Sequence, residues 1–431
     1  MTAIKQKLGS SRRNFFRQVG LFVGSSQLVS HLGFAGTYKN NNEALTISTE
    51  FPSGGGNVEL LSRDPITIRF TPHDEGGRGW GQMWWYFSVS GMKPGEKVEL
   101  QLELGSPTLP GINKYLVFSY DSVVWEHGSQ GQFRQIDGNA FFVYEHWVKE
   151  SKVWFAYDLP YPVSLVKEKL FPLVNQTSGL EPFVLCTSRK GRDVYGFSLK
   201  PLAEPKYGVW LQARSHAFET GASWVLHELL YWLCSTDPAV NQLRLHTEIT
   251  IIPIIDVDAV AEGRTGKNQP PYDHNRGWER AISHWPEVNH IKSLVRQKSD
   301  RQMLDLFIDL HGPGNDKQPY FIVPLENDLP TDKQRANRRS FFNLLGAKTL
   351  SAESSKVQSM KHFHVSERPV AQYAPDTSSR WVMKNTNDAV VTLTLEVNMK
   401  TLLSTQQGYA DEAVALGRGM SKYFSNHHRR K

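Results

Sequence analysis

The sequence predicts an α/β protein: an antiparallel β-sandwich followed by an α/β/α domain whose sheet is mixed and largely parallel. Three observations point there. Residues 45–160 hold short runs in which apolar and polar side chains alternate, the period of half-buried strands. Residues 161–425 alternate apolar strand-like runs with helical spacing, the order that builds a parallel sheet. The length, 431 residues, exceeds a typical single core and fits roughly two domains.

The chain opens on a segment that reads as an address. Ser11-Arg12-Arg13-Asn14-Phe15-Phe16-Arg17 resembles the bacterial twin-arginine export signal, and a broken apolar stretch follows from Val19 to Ala35. Small residues at Gly33-Phe34-Ala35 suit cleavage after Ala35, so residues 1–35 are expected to be a signal peptide and the protein periplasmic or extracellular. A frayed amphipathic arm is the plainer alternative. The stretch is too short and polar-broken to span a bilayer, and no later run reaches about 18 apolar residues, so no stable membrane insertion is expected. Lys5, Lys7, Arg12, Arg13 and Arg17 supply most of the formal charge of +6 and leave a nearly neutral body. With no basic stripe there, no nucleic-acid partner is expected. Cys186 and Cys234 show no metal-binding spacing, and two cysteines cannot make a disulfide framework.

In the first half, Trp84-Trp85-Tyr86-Phe87-Ser88-Val89-Ser90 runs into the turn Gly91-Met92-Lys93-Pro94-Gly95, and residues 98–104 alternate strictly. Residues 115–120 and 153–157 read the same way, as a sandwich. In the second half the strand-like runs are 208–211, 249–255, 306–310 and 390–395. Ala222, Leu226, Leu229, Leu230 and Leu233 recur at helical spacing between the first two.

Ligands of an open α/β sheet bind beyond the carboxyl ends of its strands. Polar residues suited to one hydrolytic site follow each run here. After 208–211 come His216 and Glu219, whose spacing at the start of a helix lets imidazole and carboxylate converge on one Zn²⁺. His311 and Gly312 follow 306–310, and two His with one Glu are a standard catalytic zinc set that leaves a position open for water. Glu396 closes 390–395, where a carboxylate beside such water can act as general base. After 249–255 a long loop ends in Asp273-His274-Asn275-Arg276, which offers a planar fork and a neutral donor to a carboxylate. Each motif alone has a bland reading: a solvated HxxE pair, a satisfied core histidine, a salt-bridged strand end, a helix cap.

Taken in order, HxxE, DxNR, a strand leading to His-Gly and a strand leading to Glu resemble the zinc metallocarboxypeptidases. Trp84–Glu96 resembles the β-sandwich ahead of the catalytic domain in the cytosolic-carboxypeptidase-like branch, and Phe155–Tyr161, Phe363–Glu367 and Thr394–Asn398 resemble its junction and late segments. The resemblance implies a carboxypeptidase-like catalytic domain with one Zn²⁺ per chain. It also implies a peptide substrate with a free C-terminal carboxylate held by Asn275 and Arg276, and a tyrosine closing over it, for which Tyr373 is the nearest candidate. A family arginine nine residues before Asn275 would serve the oxyanion, but Gly266 stands there, flanked by Arg264 and Lys267. The family's Pro-Gly within HxxE is Ala217-Phe218 here, and its leucine in DLNR is His274. The pocket for the terminal side chain would be lined by residues 376–381, whose cation, Arg380, suits an acidic residue unless it pairs with Asp376 on the surface. Two rivals share these features: a zinc deacylase of the aspartoacylase or succinylglutamate-desuccinylase type, and a non-catalytic binder of cell-wall polymers.

Overall fold

The computed structural model describes residues 44–73, 82–104, 112–312, 319–349, 360–370 and 376–426. The expected signal segment and Tyr373 lie outside the described residues.

Among the described residues, ten strands fill the first part: β1 (Thr46–Ser48), β2 (Asn57–Arg63), β3 (Ile66–Thr71), β4 (Tyr86–Ser90), β5 (Lys97–Glu103), β6 (Tyr115–Ser119), β7 (Glu126–Gln130), β8 (Gln132–Ile136), β9 (Asn139–Trp147) and β10 (Lys152–Ala156). They form two five-stranded sheets, β1-β4-β10-β6-β7 and β2-β3-β5-β9-β8. Pairing is antiparallel except between β3 and β5. Inward aromatic side chains join the two sheets: Phe87 of β4 lies 5.2 Å from Phe70 of β3, and Phe118 of β6 lies 4.3 Å from His146 of β9. This is sheet-on-sheet packing over an apolar core.

The second part continues with β11 (Leu180–Thr187), β12 (Asp193–Leu199), β13 (Tyr207–Ala213), β14 (Thr247–Ile252), β15 (Leu306–His311), β16 (Tyr320–Pro324), β17 (Lys348–Thr349), β18 (His364–Arg368) and β19 (Val391–Glu396). Their order is β11-β12-β14-β13-β15-β19-β16-β18-β17. The centre, β14-β13-β15-β19, is parallel throughout, and antiparallel pairs at β11–β12, β12–β14 and β16–β19 make the sheet mixed. Central strands buried on both faces read as near-continuous apolar runs, which is why 208–211, 249–255 and 306–310 stand out in the sequence, whereas β19 alternates, burying Val391, Leu393 and Leu395 and leaving Thr392, Thr394 and Glu396 partly exposed. The short polar strand β17 at the edge and its neighbour β18 do not stand out.

Among the described residues, eight α-helices accompany the sheet: α1 (Phe171–Val174), α2 (Thr220–Leu233), α3 (Pro238–Arg244), α4 (Val257–Ala261), α5 (Pro286–Asp300), α6 (Asp332–Leu345), α7 (Ser378–Asn385) and α8 (Gln406–Asn426). The last packs on α2, α3 and α6, while α5 packs on α7. Asp273 and Asn275 cap no helix, since α5 starts only at Pro286. Both cysteines are free thiols; Cys186 is buried and Cys234 partly exposed. No helix among the described residues is long and apolar enough to cross a membrane.

Candidate active site

His216 and Glu219 lie in the turn that links β13 to α2. Arg214 begins that turn with a positive φ of 63°. Its buried guanidinium donates to the carbonyl of Ala217, to Tyr161 O and to Ser223 Oγ, so it fixes the turn from within. Burial pulls Arg214 down to about 9, opposed by the charges of Glu219 and Asp256. His311 is the last residue of β15, and Gly312 follows it. A Cβ at Gly312 would meet Met399 Sδ at 2.0 Å, so the missing side chain lets the Met399 thioether pack close behind the histidine.

The three side chains are buried and converge, with one ligand atom each within 4.8 Å of the others. His216 Nδ1 lies 2.9 Å from Glu219 Oε1, and His311 Nδ1 lies 2.9 Å from Glu219 Oε2. The opposite ring nitrogens are also engaged. His216 Nε2 faces Asp273 Oδ1 at 3.4 Å, and His311 Nε2 faces Asp309 Oδ2 at 3.0 Å. Histidine ligands of metals characteristically pass their far nitrogen to a carboxylate, which fixes the ring and raises its basicity. Two Nδ1 atoms and a carboxylate at one point, each ring braced from behind, fit a divalent zinc of His₂Glu type. Burial raises the Glu219 carboxyl, but the two histidines outweigh it and hold it well below the usual range. Burial lowers His311 in turn, and Asp309 and Glu219 overcome that and drive it up.

Glu396 ends β19, directly opposite His311 in the parallel register of β15 and β19. Its burial pushes the carboxyl up, Glu219 adds to that, and His311, Lys267 and His216 oppose it. The two cations that flank Gly266 part company. Lys267 Nζ lies 2.8 Å from His216 Nε2, whereas Arg264 Nε turns to Glu262 Oε2 at 3.1 Å. Gly266 can carry no side chain, because a Cβ there would sit 2.6 Å from Ala217 N and 2.8 Å from Asp256 Oδ2, at a φ of +74°. Asn275 is buried, with Nδ2 3.1 Å from His311 Nε2 and Oδ1 accepting from Ser378 N at 2.9 Å. Arg276 is more exposed and donates to the Asn275 carbonyl at 2.8 Å. Arg380 stands apart from this group. It donates to Val370 O at 3.0 Å and lines a small depression with Ile322, Ser379, Thr392 and Thr394.

Three supporting residues escape a reading of the sequence alone. Asp309 lies inside an apolar strand, two residues before His311, and that spacing is the only signal it gives. Ser378 donates through Oγ to Asp309 and through its amide to Asn275, so it joins both sides of the site. Asp376, at a φ of 102°, accepts from Gly277 N at 2.8 Å and Glu279 N at 2.6 Å. These partners are distant in sequence, and nothing local marks them.

Residues 176–409 match the zinc carboxypeptidase family model, more than half of the chain. The chain belongs to that family. It is 26% identical over 283 residues to human cytosolic carboxypeptidase 1, which is 55% of this chain and 23% of the relative. It thus spans about a quarter of the length of the curated relatives it matches. Among solved structures it resembles a metallo-carboxypeptidase from Burkholderia cenocepacia, with a TM-score of 0.69 and 21% identity over 88% of this chain and 97% of that one. It also resembles the Pseudomonas aeruginosa metallo-carboxypeptidase solved with (2-guanidinoethylmercapto)succinic acid, at a TM-score of 0.69 and 19% identity over 88% and 98% of the two chains.

Proposed function

We propose that this chain hydrolyses peptides at their C-terminal residue, with one zinc held by His216, Glu219 and His311 and with Glu396 as general base. The supporting observation is the convergence of two braced Nδ1 atoms and a carboxylate beside a glutamate that the strand register places next to His311. Zinc in such a set polarises a carbonyl and lowers the pKa of water to about 7. Glu396 takes the proton from the attacking water and returns it to the leaving amine. Its raised affinity for protons suits the second half of that task. Lys267 stabilises the developing oxyanion, and Arg276 with Asn275 holds the terminal carboxylate of the substrate. Arg264, turned towards Glu262, takes no part in this reading.

The experiment is metal analysis coupled to a library of peptides that differ at the C-terminus. One zinc per chain and metal-dependent release of single C-terminal residues are expected. Release from N-acyl amino acids but not from peptides would replace this reading with deacylation. We further propose that residues 1–35 export the folded protein by the twin-arginine route, on the strength of Arg12-Arg13 ahead of an apolar stretch. Arg12→Lys with Arg13→Lys should retain the protein in the cytoplasm, and unchanged export of that variant would make the pair incidental.

A further inference from the structure

The β-sandwich touches the loop that carries Lys267. Met83 and Trp84 lie just ahead of β4, whose ladder starts at Tyr86, so their amides need partners outside the strand. Both amides donate to one atom, Thr265 Oγ1, at 3.1 and 3.2 Å. A hydroxyl oxygen has two lone pairs and can accept both. All three residues are buried, so bulk water does not substitute for the hydroxyl. Beside this contact the main chains of the two halves meet with no side chain between them. A Cβ on Gly55 would run into the Gly263 carbonyl, and one on Gly263 into the carbonyl of Gly54. Gly55 is tied to the start of β4 in turn, exchanging hydrogen bonds with Tyr86 at 2.8 and 2.9 Å, and Trp84 Nε1 donates to Ser53 O at 2.9 Å. The sandwich thus presents a fixed surface to residues 263–265.

We propose that Thr265 is a positioning residue, through which the β-sandwich fixes both the zinc-binding turn and Lys267. The hold on Lys267 rests on the oxyanion role given to that lysine; the hold on the turn rests on the zinc set alone. Thr265 faces the sandwich with its side chain and the site with its main chain. Its carbonyl accepts from Phe218 N at 3.0 Å, inside the turn between His216 and Glu219. Two residues further on, Lys267 Nζ reaches His216 Nε2 at 2.8 Å. Between them Gly266 is pressed by Ala217 and Asp256, so a shift at Thr265 passes along the chain to Lys267. A β-branched side chain has few χ1 rotamers, and a hydroxyl gripped by two amides therefore grips the backbone that bears it. The turn has a second tie to the sandwich. The Phe218 ring meets that of Tyr157 at 6.2 Å, and Tyr157 N donates to Trp85 O at 2.9 Å. Loss of the hydroxyl should loosen the turn without freeing it.

The test uses the full chain and the variants Thr265→Val, Thr265→Ala and Thr265→Ser, each alone and with Lys267→Met. Valine keeps the shape and loses the hydroxyl, leaving two buried amides without an acceptor. Alanine leaves room for a water on those amides while releasing the backbone of residue 265, so it serves where the valine variant does not fold. Zinc affinity, measured by competition with a chelator, should fall about tenfold in both, the low end for loss of an outer partner of a metal site. At saturating zinc and peptide, kcat should fall about 10- to 100-fold, the scale of a displaced catalytic group. Thr265→Ser keeps the hydroxyl and should restore both values. In the Lys267→Met background the same substitutions should change kcat little, since residues acting through one another are not additive. Wild-type zinc affinity in a folded valine or alanine variant would overturn the hold on the turn. A kcat loss of equal size with and without Lys267 would overturn the hold on Lys267 and make Thr265 merely structural. Undiminished kcat in Lys267→Met alone would count against the oxyanion reading instead, and the zinc measurement, which needs no turnover, would still decide the role of Thr265.

Discussion

The site has two sides built on different principles. His311 and Glu396 end neighbouring parallel strands, and their relation follows from the β15–β19 register. A one-residue slip there would turn the apolar face of β19 the wrong way, so packing keeps the two residues opposite one another. Residues 262–276 reach the same point along a path with no strand or helix. There position is set by side chains: Arg264 on Glu262, Lys267 on His216, Asp273 on His216 and Asn275 on His311. The strand side should therefore tolerate loss of a side chain without losing its geometry. The loop side is made of the side chains themselves, and each loss there moves its neighbours.

This contrast can be tested by substitution, and the largest effect is expected at the metal. His216→Ala should lower zinc content from one per chain to nearly none. Retained stoichiometric zinc in this variant would mean that the three ligands do not act as one set. Next comes Glu396→Gln on the strand side. Activity should fall by about 10²- to 10⁴-fold, as for loss of a general base, while zinc content and the unfolding midpoint stay close to wild type. A large drop in either would show that the strand side is not self-supporting.

How far the sequence reveals each side follows the same division. His311 and Glu396 are legible as candidates because each ends a strand-like run, and His216 and Glu219 because they lie between such a run and a helix, so the strand pattern marks their places. The cation is not legible. Gly266 stands where the family arginine is expected, with Arg264 two residues before it and Lys267 one residue after. The choice depends on which way the chain leaves Gly266, where Ala217 and Asp256 press on the missing side chain. Strands β7 and β8 also escape, since EHGSQ and QFRQI are polar and largely exposed. They become strands by pairing with β6 and β9.

The flanking pair supplies the next test. Lys267→Met should reduce kcat by about 10²- to 10³-fold, the cost of one oxyanion donor. Arg264→Met should stay near wild type, because its partner is Glu262. The reverse ranking would assign the oxyanion to Arg264. Zinc content must be measured in both, since Lys267 touches a ligand while Arg264 does not.

The smallest effect is expected at Arg380, on the margin of the strand side. Thr392, Thr394 and Glu396 share one face of β19, because alternate residues of a strand point the same way. Arg380 lines the depression beside Thr392 and Thr394, about 7–13 Å along the strand from Glu396 at about 3.3 Å per residue. That is the reach of one substrate side chain beyond the scissile bond. A guanidinium there favours a terminal Glu or Asp and repels Lys or Arg. Its NH1 already donates to Val370 O, so a substrate carboxylate gains only what this contact leaves over. A charge-assisted hydrogen bond contributes about 1.5–3 kcal/mol, and the lower end of that range corresponds to about tenfold. Arg380→Ala should therefore reduce the kcat/KM ratio of peptides ending in Glu over those ending in Leu by about tenfold, with kcat on the Leu peptide unchanged. If wild type shows no preference for Glu, or if the preference survives the substitution, specificity is set by the loop side instead. Arg276, the most exposed side chain of that loop's DxNR motif, is then the next residue to replace.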